Sequence, residues 1–239
     1  MIQDKILYSI FLPAFVPIDI YKNKIVWVAL DKGTSIYILK NTKGIITNCK
    51  EEAFLNEIKK FYKIFFEKIN NGLYLYYETP IAWEFNSFYN TLIGINIAKK
   101  ILYGNTVVIK EVIKEVAAYL NSEKIPDLNL RFYKYKEAIS LNLSNFNIKK
   151  IEIDKKIIII SIIKFLKNFK LINKETLNKI RKEKINEKIA KIIGENCEFI
   201  YCQKKDLIKI LDNLIDGLEP EQILISRIYD KGIQIYSFK

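Results

Sequence analysis

The stretch Glu78–Lys100, ETPIAWEFNSFYNTLIGINIAKK, decides how this chain is read. An aromatic strand, LYLYYE (Leu73–Glu78), runs into Pro80 and a short loop. A long apolar-periodic helix follows and stops at Gly104. Strand, tight turn and helix N-terminus together make an anion site, because unpaired backbone N–H groups and the helix dipole converge there. Phosphate loops of this kind use glycine, which lets the backbone approach the ligand closely. Here Ala82, Glu84 and Asn86 occupy the candidate glycine positions.

Working outward, the preceding segments read as strands. ILYSIFLPAFVPIDI, KIVWVALDK, TSIYILK and GIITN are β-branched and aromatic runs broken by Pro, Gly and Asn. Asn48 with Glu51 three residues on marks a helix start. Phe54, Ile58, Phe61, Phe65 and Ile69 then recur at helical spacing. After the central stretch, Asn105 is expected to cap a further helix, TVVIKEVIKEVAAYL. The segment 121–150 carries Pro126 and alternating strands such as LRFYKYKEAISLNL.

A second lobe is expected to open near Lys149, giving domains 1–148 and 149–239. Its first strand, KKIIIISII, lacks polar alternation, as in a strand buried on both faces. A helix over ETLNKIRKEKINEKIAKII is expected to close at Gly194. CEFIYC is either a strand or a tight connection. The helix DLIKILDNLIDGL and a hairpin turned at Asp230-Lys231-Gly232 end the chain. This order predicts an α+β protein of two lobes, the second ferredoxin-like, with an antiparallel sheet and helices on one face.

The bulk properties bound the function. The chain has 239 residues, half of them hydrophobic, enough for a substantial core. Its longest apolar run, Ile157–Ile163, is far too short to span a bilayer. MIQDKILYS has none of the features of a secretion signal, so cytoplasmic residence is the expectation. The formal charge is +12, yet the only arginines are Arg131, Arg181 and Arg227. The lysines interleave with glutamates, as in KEVIKEV, which reads as solvated helix faces. Nucleic-acid binding therefore rests on net charge alone and is the weaker reading. There is no histidine, which removes His-based acid–base catalysis, Ser–His triads and most zinc sites. Cys49, Cys197 and Cys202 read as buried thiols, and no metal bound through Cys or His is expected.

Several short matches, in one order along nearly the whole chain, resemble the GHMP superfamily of small-molecule kinases, and within it archaeal pantoate kinases. AFVPIDIY (Ala14–Tyr21) is similar to that family's opening A-F-V-P-G-H-I-T, and ALDKGTSIYI fits the strand after it. TPIAWEFNSFYNTLIGINIA fits the phosphate loop and its helix, usually close to P-x-G-x-G-x-G-x-S. Pro80 and Ser87 match, while Ala82, Glu84 and Asn86 stand where glycines are expected. NSEKIPDL (Asn121–Leu128) resembles the motif N-G-T-G-L-G-D-V, keeping Asn121 and Asp127. KKIIIISI followed by INKETLNKIRKEKINE resembles a strand and helix of the family's second lobe.

The resemblance implies ATP-dependent phosphorylation of a small alcohol, pantoate in coenzyme A biosynthesis, with ATP and Mg²⁺ as cofactors. It places Asp127 against the substrate hydroxyl as the catalytic residue, a base or an orienting and metal-binding group, with Glu84, Asn86, Ser87 and Thr91 at the phosphates and Asp19 near the substrate. A homodimer is compatible with it. Each residue also has a plain alternative. Asp127 in a Pro-Asp pair suits a turn, Asp19 a strand-end cap, and Ser87 and Thr91 helix capping. A carboxylate at position 84 would repel a triphosphate, and non-glycine residues resist φ > 0 at about 1–2 kcal/mol. Trp83, Phe85, Phe88 and Tyr89 could fill the cleft as core. Three readings stand: a working kinase, a catalytically eroded relative acting as a binding or partner protein, and a basic nucleic-acid-binding protein.

Overall fold

The computed structural model describes residues 5–66, 69–120, 138–145, 147–164, 174–185, 189–214 and 217–238. Two 16-residue strands, β1 (Ile6–Tyr21) and β2 (Lys24–Leu39), form an antiparallel ribbon turned at Lys22 and Asn23. Register shifts fall beside Pro13 and Pro17, where a missing N–H would otherwise break the ladder. β4 (Gly72–Tyr77) pairs with the second half of β2, and β5 (Ala138–Asn142) with its first half. The short β3 (Ile45–Thr47) runs parallel to β4, and β6 (Ile148–Lys150) pairs with β5.

Three helices accompany this sheet: α1 (Glu52–Phe65), α2 (Ser87–Leu102) and α3 (Ile109–Tyr119). α2 is buried on all sides from Ser87 to Ala98, packed on β1 and β2 and flanked by α1 and α3. Its closeness to the sheet depends on Gly94. A Cβ there would stand 2.3 Å from Ile36 Cδ1 and 2.9 Å from Leu12 Cδ1. The two asparagines expected to start helices do other work. Asn48 pairs with the backbone of Tyr77 like a strand neighbour, through Nδ2 to its carbonyl and from its N–H to Oδ1, both 3.0 Å. The N–H of Asn105 closes the end of α2 on the Lys100 carbonyl, and α3 begins only at Ile109.

The second sheet is antiparallel throughout, in the order β11 (Ile223–Arg227), β7 (Ile157–Ile163), β10 (Cys197–Gln203), β9 (Ala190–Ile193), β8 (Arg181–Lys184). KKIIIISII supplies β7 (Ile157–Ile163), and CEFIYC is β10 (Cys197–Gln203), a full strand. β7 is buried on both faces as expected. Ile159 joins the first core, while Ile158, Ile160 and Ile162 face a second, smaller one with Ile200 and Ile210.

Two expectations fail here. The long helix over residues 175–193 is instead a short α4 (Lys174–Asn178) followed by the strands β8 (Arg181–Lys184) and β9 (Ala190–Ile193). Lys and Glu favour a helix only weakly, and pairing with β10 outweighs that preference. The charged residues of β8 are all exposed, which suits a strand on a sheet edge. The C-terminal hairpin also separates. β11 (Ile223–Arg227) pairs with β7, whereas β12 (Gln234–Ser237) pairs with β1 in the first sheet. The crossing segment is fixed to β2: Tyr229 N–H donates to the Ala29 carbonyl and Arg227 N–H to Asp31 Oδ1. The remaining helix, α5 (Leu207–Leu214), lies on the far face of the second sheet, with Ile210 buried there.

Candidate functional site

The loop from β4 to α2 lies on the first sheet and reaches the second. Beyond Pro80 it makes a 3-10 turn over Trp83–Phe85, closed by Phe85 N–H on the Ala82 carbonyl. Asn86 then takes φ 59° and ψ 21°, the left-handed region, just before α2. The backbone conformation that a glycine would supply is therefore present. Asn adopts it at the lowest strain of any residue with a Cβ. The side chain adds support: Asn86 Nδ2 donates to Asn90 Oδ1 at 3.4 Å, and Asn90 Nδ2 donates to the Pro13 carbonyl at 3.0 Å. The loop is thus tied to β1 beside its bulge.

Ser87 and Thr91 spend their hydroxyls inside the fold. Ser87 Oγ donates to the Pro80 carbonyl at 2.9 Å, and Thr91 Oγ1 to the Ser87 carbonyl at 2.8 Å. Tyr77 OH lies 2.9 Å from Thr91 Oγ1, and the two hydroxyls share a hydrogen bond. Burial pushes the Tyr77 phenol far up, and the Thr91 contact offsets only part of that. Three buried oxygens of the loop region, Thr79 Oγ1, Asn86 Oδ1 and Tyr89 OH, have no hydrogen-bond partner among the described residues.

Glu84 is the centre of the site. Its side chain is 0% exposed and points into the turn between β9 and β10. Oε1 accepts the Asn196 backbone N–H at 2.8 Å, and Oε2 accepts Asn196 Nδ2 at 3.1 Å. Backbone N–H groups of Glu84 and Glu195 also contribute. No ion pair engages Glu84 among the described residues. Burial pushes its carboxyl above the ordinary range, and these neutral N–H donors draw it only partly back. Gly194 makes room for it, since a Cβ there would lie 2.8 Å from Glu84 Oε1. Beside this contact the Phe85 ring meets Phe199 of β10 edge to face at 5.5 Å. Loop and second sheet are joined by a buried carboxylate and a buried aromatic pair.

The other expected residues fall elsewhere. Asp19 lies six residues further along β1 than Pro13, up to roughly 20 Å from the loop at the rise of an extended strand. It accepts the Ile20 N–H at 2.8 Å and pairs with Lys182 of β8 at 2.5 Å. Asp127, with the motif around it, lies outside the described residues. Phe85, Phe88 and Tyr89 are buried in the core as the plugged-cleft reading expects. The Trp83 side chain lies outside the described residues. Sequence reasoning missed Gly194 and Asn196, because the segment before them read as a helix with Gly194 as its cap. The signal was there in AKIIGENCEF, two apolar runs around Gly-Glu-Asn, which is a hairpin pattern.

In this arrangement the polar groups of the loop are engaged inside the fold. The first turn of α2 is buried at Ser87, Phe88 and Tyr89. The hydroxyls donate to protein carbonyls, and among the described residues no ion pair engages the buried Glu84 carboxylate. Among the described residues no group of three His, Cys, Asp or Glu could hold a metal ion, and no helix is long and apolar enough to cross a membrane.

No family model and no curated protein matches the sequence. Solved structures do match the fold over nearly its whole length. A phosphotransferase related to the CoA biosynthesis pathway superposes with a TM-score of 0.62 at 11% identity, covering 97% of this chain and 99% of that one. The Methanococcus jannaschii mevalonate kinase gives 0.58 at 15% identity, covering 96% and 98%. A homoserine kinase from Cytophaga hutchinsonii gives 0.56 at 11% identity, covering 99% and 98%. The chain has the two-sheet α+β fold of the GHMP kinases.

Proposed function

We propose that this chain is a kinase-like protein on a small-molecule phosphotransferase scaffold of pantoate-kinase type, with ATP-dependent transfer reduced or lost. The fold shared with kinases, one of them a phosphotransferase related to CoA biosynthesis, supports the scaffold. Reduced transfer rests on a single observation. Glu84 lies buried at the loop where a phosphate-binding backbone would be needed, bonded to Asn196 and engaged by no ion pair among the described residues. A triphosphate brought there would meet a like charge in a low dielectric, where repulsion is strong. The reading takes residues 1–148 as the nucleotide lobe and 149–239 as the second lobe, with β12 returning to the first sheet.

In a residual reaction the chain's own groups would mainly position the reactants, because phosphoryl transfer depends chiefly on alignment and charge neutralisation. ATP with Mg²⁺ supplies the phosphoryl group and its charge shielding when bound. Asp127 would orient or deprotonate the acceptor hydroxyl, and Asp19 with Lys182 would border the acceptor. Asn86, through Asn90, would hold the loop against β1, and Ser87 and Thr91 would brace the loop and the first turn of α2. The test is ATP-dependent phosphorylation of pantoate by purified wild type beside Asp127→Asn. We expect little or no turnover from wild type and none from the variant. Robust wild-type turnover would refute the loss of catalysis, and equal turnover in both would refute the role of Asp127.

A further inference from the structure

A cavity of about 1000 Å³ opens at the opposite end of β10 from Asn196, between α5, the start of β7, Ile185 and Ile189. β10 spans seven residues, so roughly 20 Å of strand separates the cavity from the Glu84 contact. Its walls are aliphatic: Ile157, Ile189, Ile210 and Leu214, with the Cys202 thiol among them. α5 has only eight residues and buries only Ile210, so it covers part of the sheet and leaves this space beside it. Protein interiors hold few voids larger than a water molecule, whereas ligand sites reach this volume.

The rim is charged. Lys205 and Lys209 are one helical turn apart, and no ion pair engages either among the described residues. Two acids also line it. Asp154 Oδ1 is taken by the Lys156 N–H at 2.9 Å, and Asp206 sits between the lysines in sequence. Lys155 beside the mouth is paired with Asp230 at 2.6 Å. Lys205 and Lys209 therefore offer two ammonium groups at the rim, while one oxygen of Asp154 is already satisfied by the backbone.

We propose that this cavity binds an anionic amphiphile, its aliphatic body on Ile157, Ile189, Ile210 and Leu214 and its carboxylate or phosphate head between Lys205 and Lys209. The ligand is a single soluble molecule held in the concavity rather than a membrane surface. This site stands apart from the nucleotide loop and does not depend on how that loop is read.

The test uses decanoate titrated into the full chain by calorimetry, with decyltrimethylammonium as the matched cation. Decanoate should bind saturably, one per chain, and at least tenfold more tightly than the cation. Lys205→Gln combined with Lys209→Gln should weaken decanoate at least tenfold, and Ile189→Trp should abolish binding by filling the space, with circular dichroism checking that each variant is folded. Bound decanoate should also slow alkylation of Cys202 in the wild-type chain. Absence of saturable binding, equal affinity for both head groups, or binding unchanged in folded Ile189→Trp would overturn the proposal. So would sedimentation of the chain with phosphatidylglycerol vesicles without saturable decanoate binding, which would assign the face to a lipid surface.

Discussion

Two glutamates are buried at the second sheet, and their surroundings treat them in opposite ways. Glu84 enters from the first lobe and meets the β9–β10 turn, where only neutral N–H groups receive it. Glu198, two residues beyond Asn196 in β10, is 6% exposed and meets two ammonium groups. Lys191 lies 2.9 Å from it, and Lys164 pairs with its other oxygen. Burial pushes both carboxyls up. At Glu198 the two lysines outweigh burial and hold the group below its ordinary value; at Glu84 no charged group among the described residues does so, and the group stays raised. Burial alone therefore does not determine a carboxylate's state. What receives it decides whether it is a settled ion pair or an anion held by dipoles alone, in a place where a second anion would be excluded.

Removing the carboxylate altogether should have the largest effect. Glu84→Ala leaves the Asn196 donors without their acceptor and opens a cavity between the sheets, costing about 2–3 kcal/mol. Thermal unfolding should show a melting temperature lower by roughly 5–10 °C for a chain of this size. Glu198→Gln breaks the other arrangement. Its folded-state pKa is lowered, so its contribution is present above the unfolded value and is lost as pH falls through the folded one. The variant should be about 1–2 kcal/mol less stable at pH 7. In urea titrations the difference should disappear in acid.

Glu84→Gln sharpens the contrast, because its sign is reversed. The Glu84 pKa is raised on folding, so its favourable share is complete below the unfolded value and is lost as pH rises through the folded one. Glutamine keeps an acceptor for the Asn196 N–H and removes the ionisation. It should match wild type near pH 4 and exceed it at pH 8, by about 1 kcal/mol or less. A variant less stable than wild type at pH 8 would mean that the charge itself is favourable there. The smallest effect belongs to Asp19→Asn. Its pair with Lys182 is about one-third exposed on each side, and such pairs contribute about 0–1 kcal/mol. The melting temperature should hardly move.

How much of this was legible in the sequence follows from how local each signal is. β1, β2, β4, β7 and α2 carry their own pattern, so aromatic and β-branched runs or helical spacing located them. The segment 175–193 misled because Lys and Glu suit a helix, while the pairing that makes it strands comes from β10. The terminal hairpin pattern was readable as two strands and a turn, but not the fact that Tyr229 is held on β2 and carries β12 to another sheet. At the site, Glu84, Asn86, Ser87 and Thr91 were found by the strand–loop–helix pattern. Asn196 was not, since it lies 112 residues from Glu84 and only the folded chain brings them together. The left-handed conformation at Asn86 was also unexpected, because the sequence reading counted every lost glycine as a lost geometry.

The central proposal is that the buried Glu84 carboxylate disfavours a triphosphate at the β4–α2 loop, and a thermal titration with MgATP tests it most directly. A ligand bound only by the folded state raises the melting temperature in step with its affinity. For wild type we predict no more than a marginal rise at sub-millimolar MgATP, with Glu84 in place against Asn196. A saturable rise of several degrees at those concentrations would contradict the account, because a triphosphate would then be held where the structure places an uncompensated carboxylate.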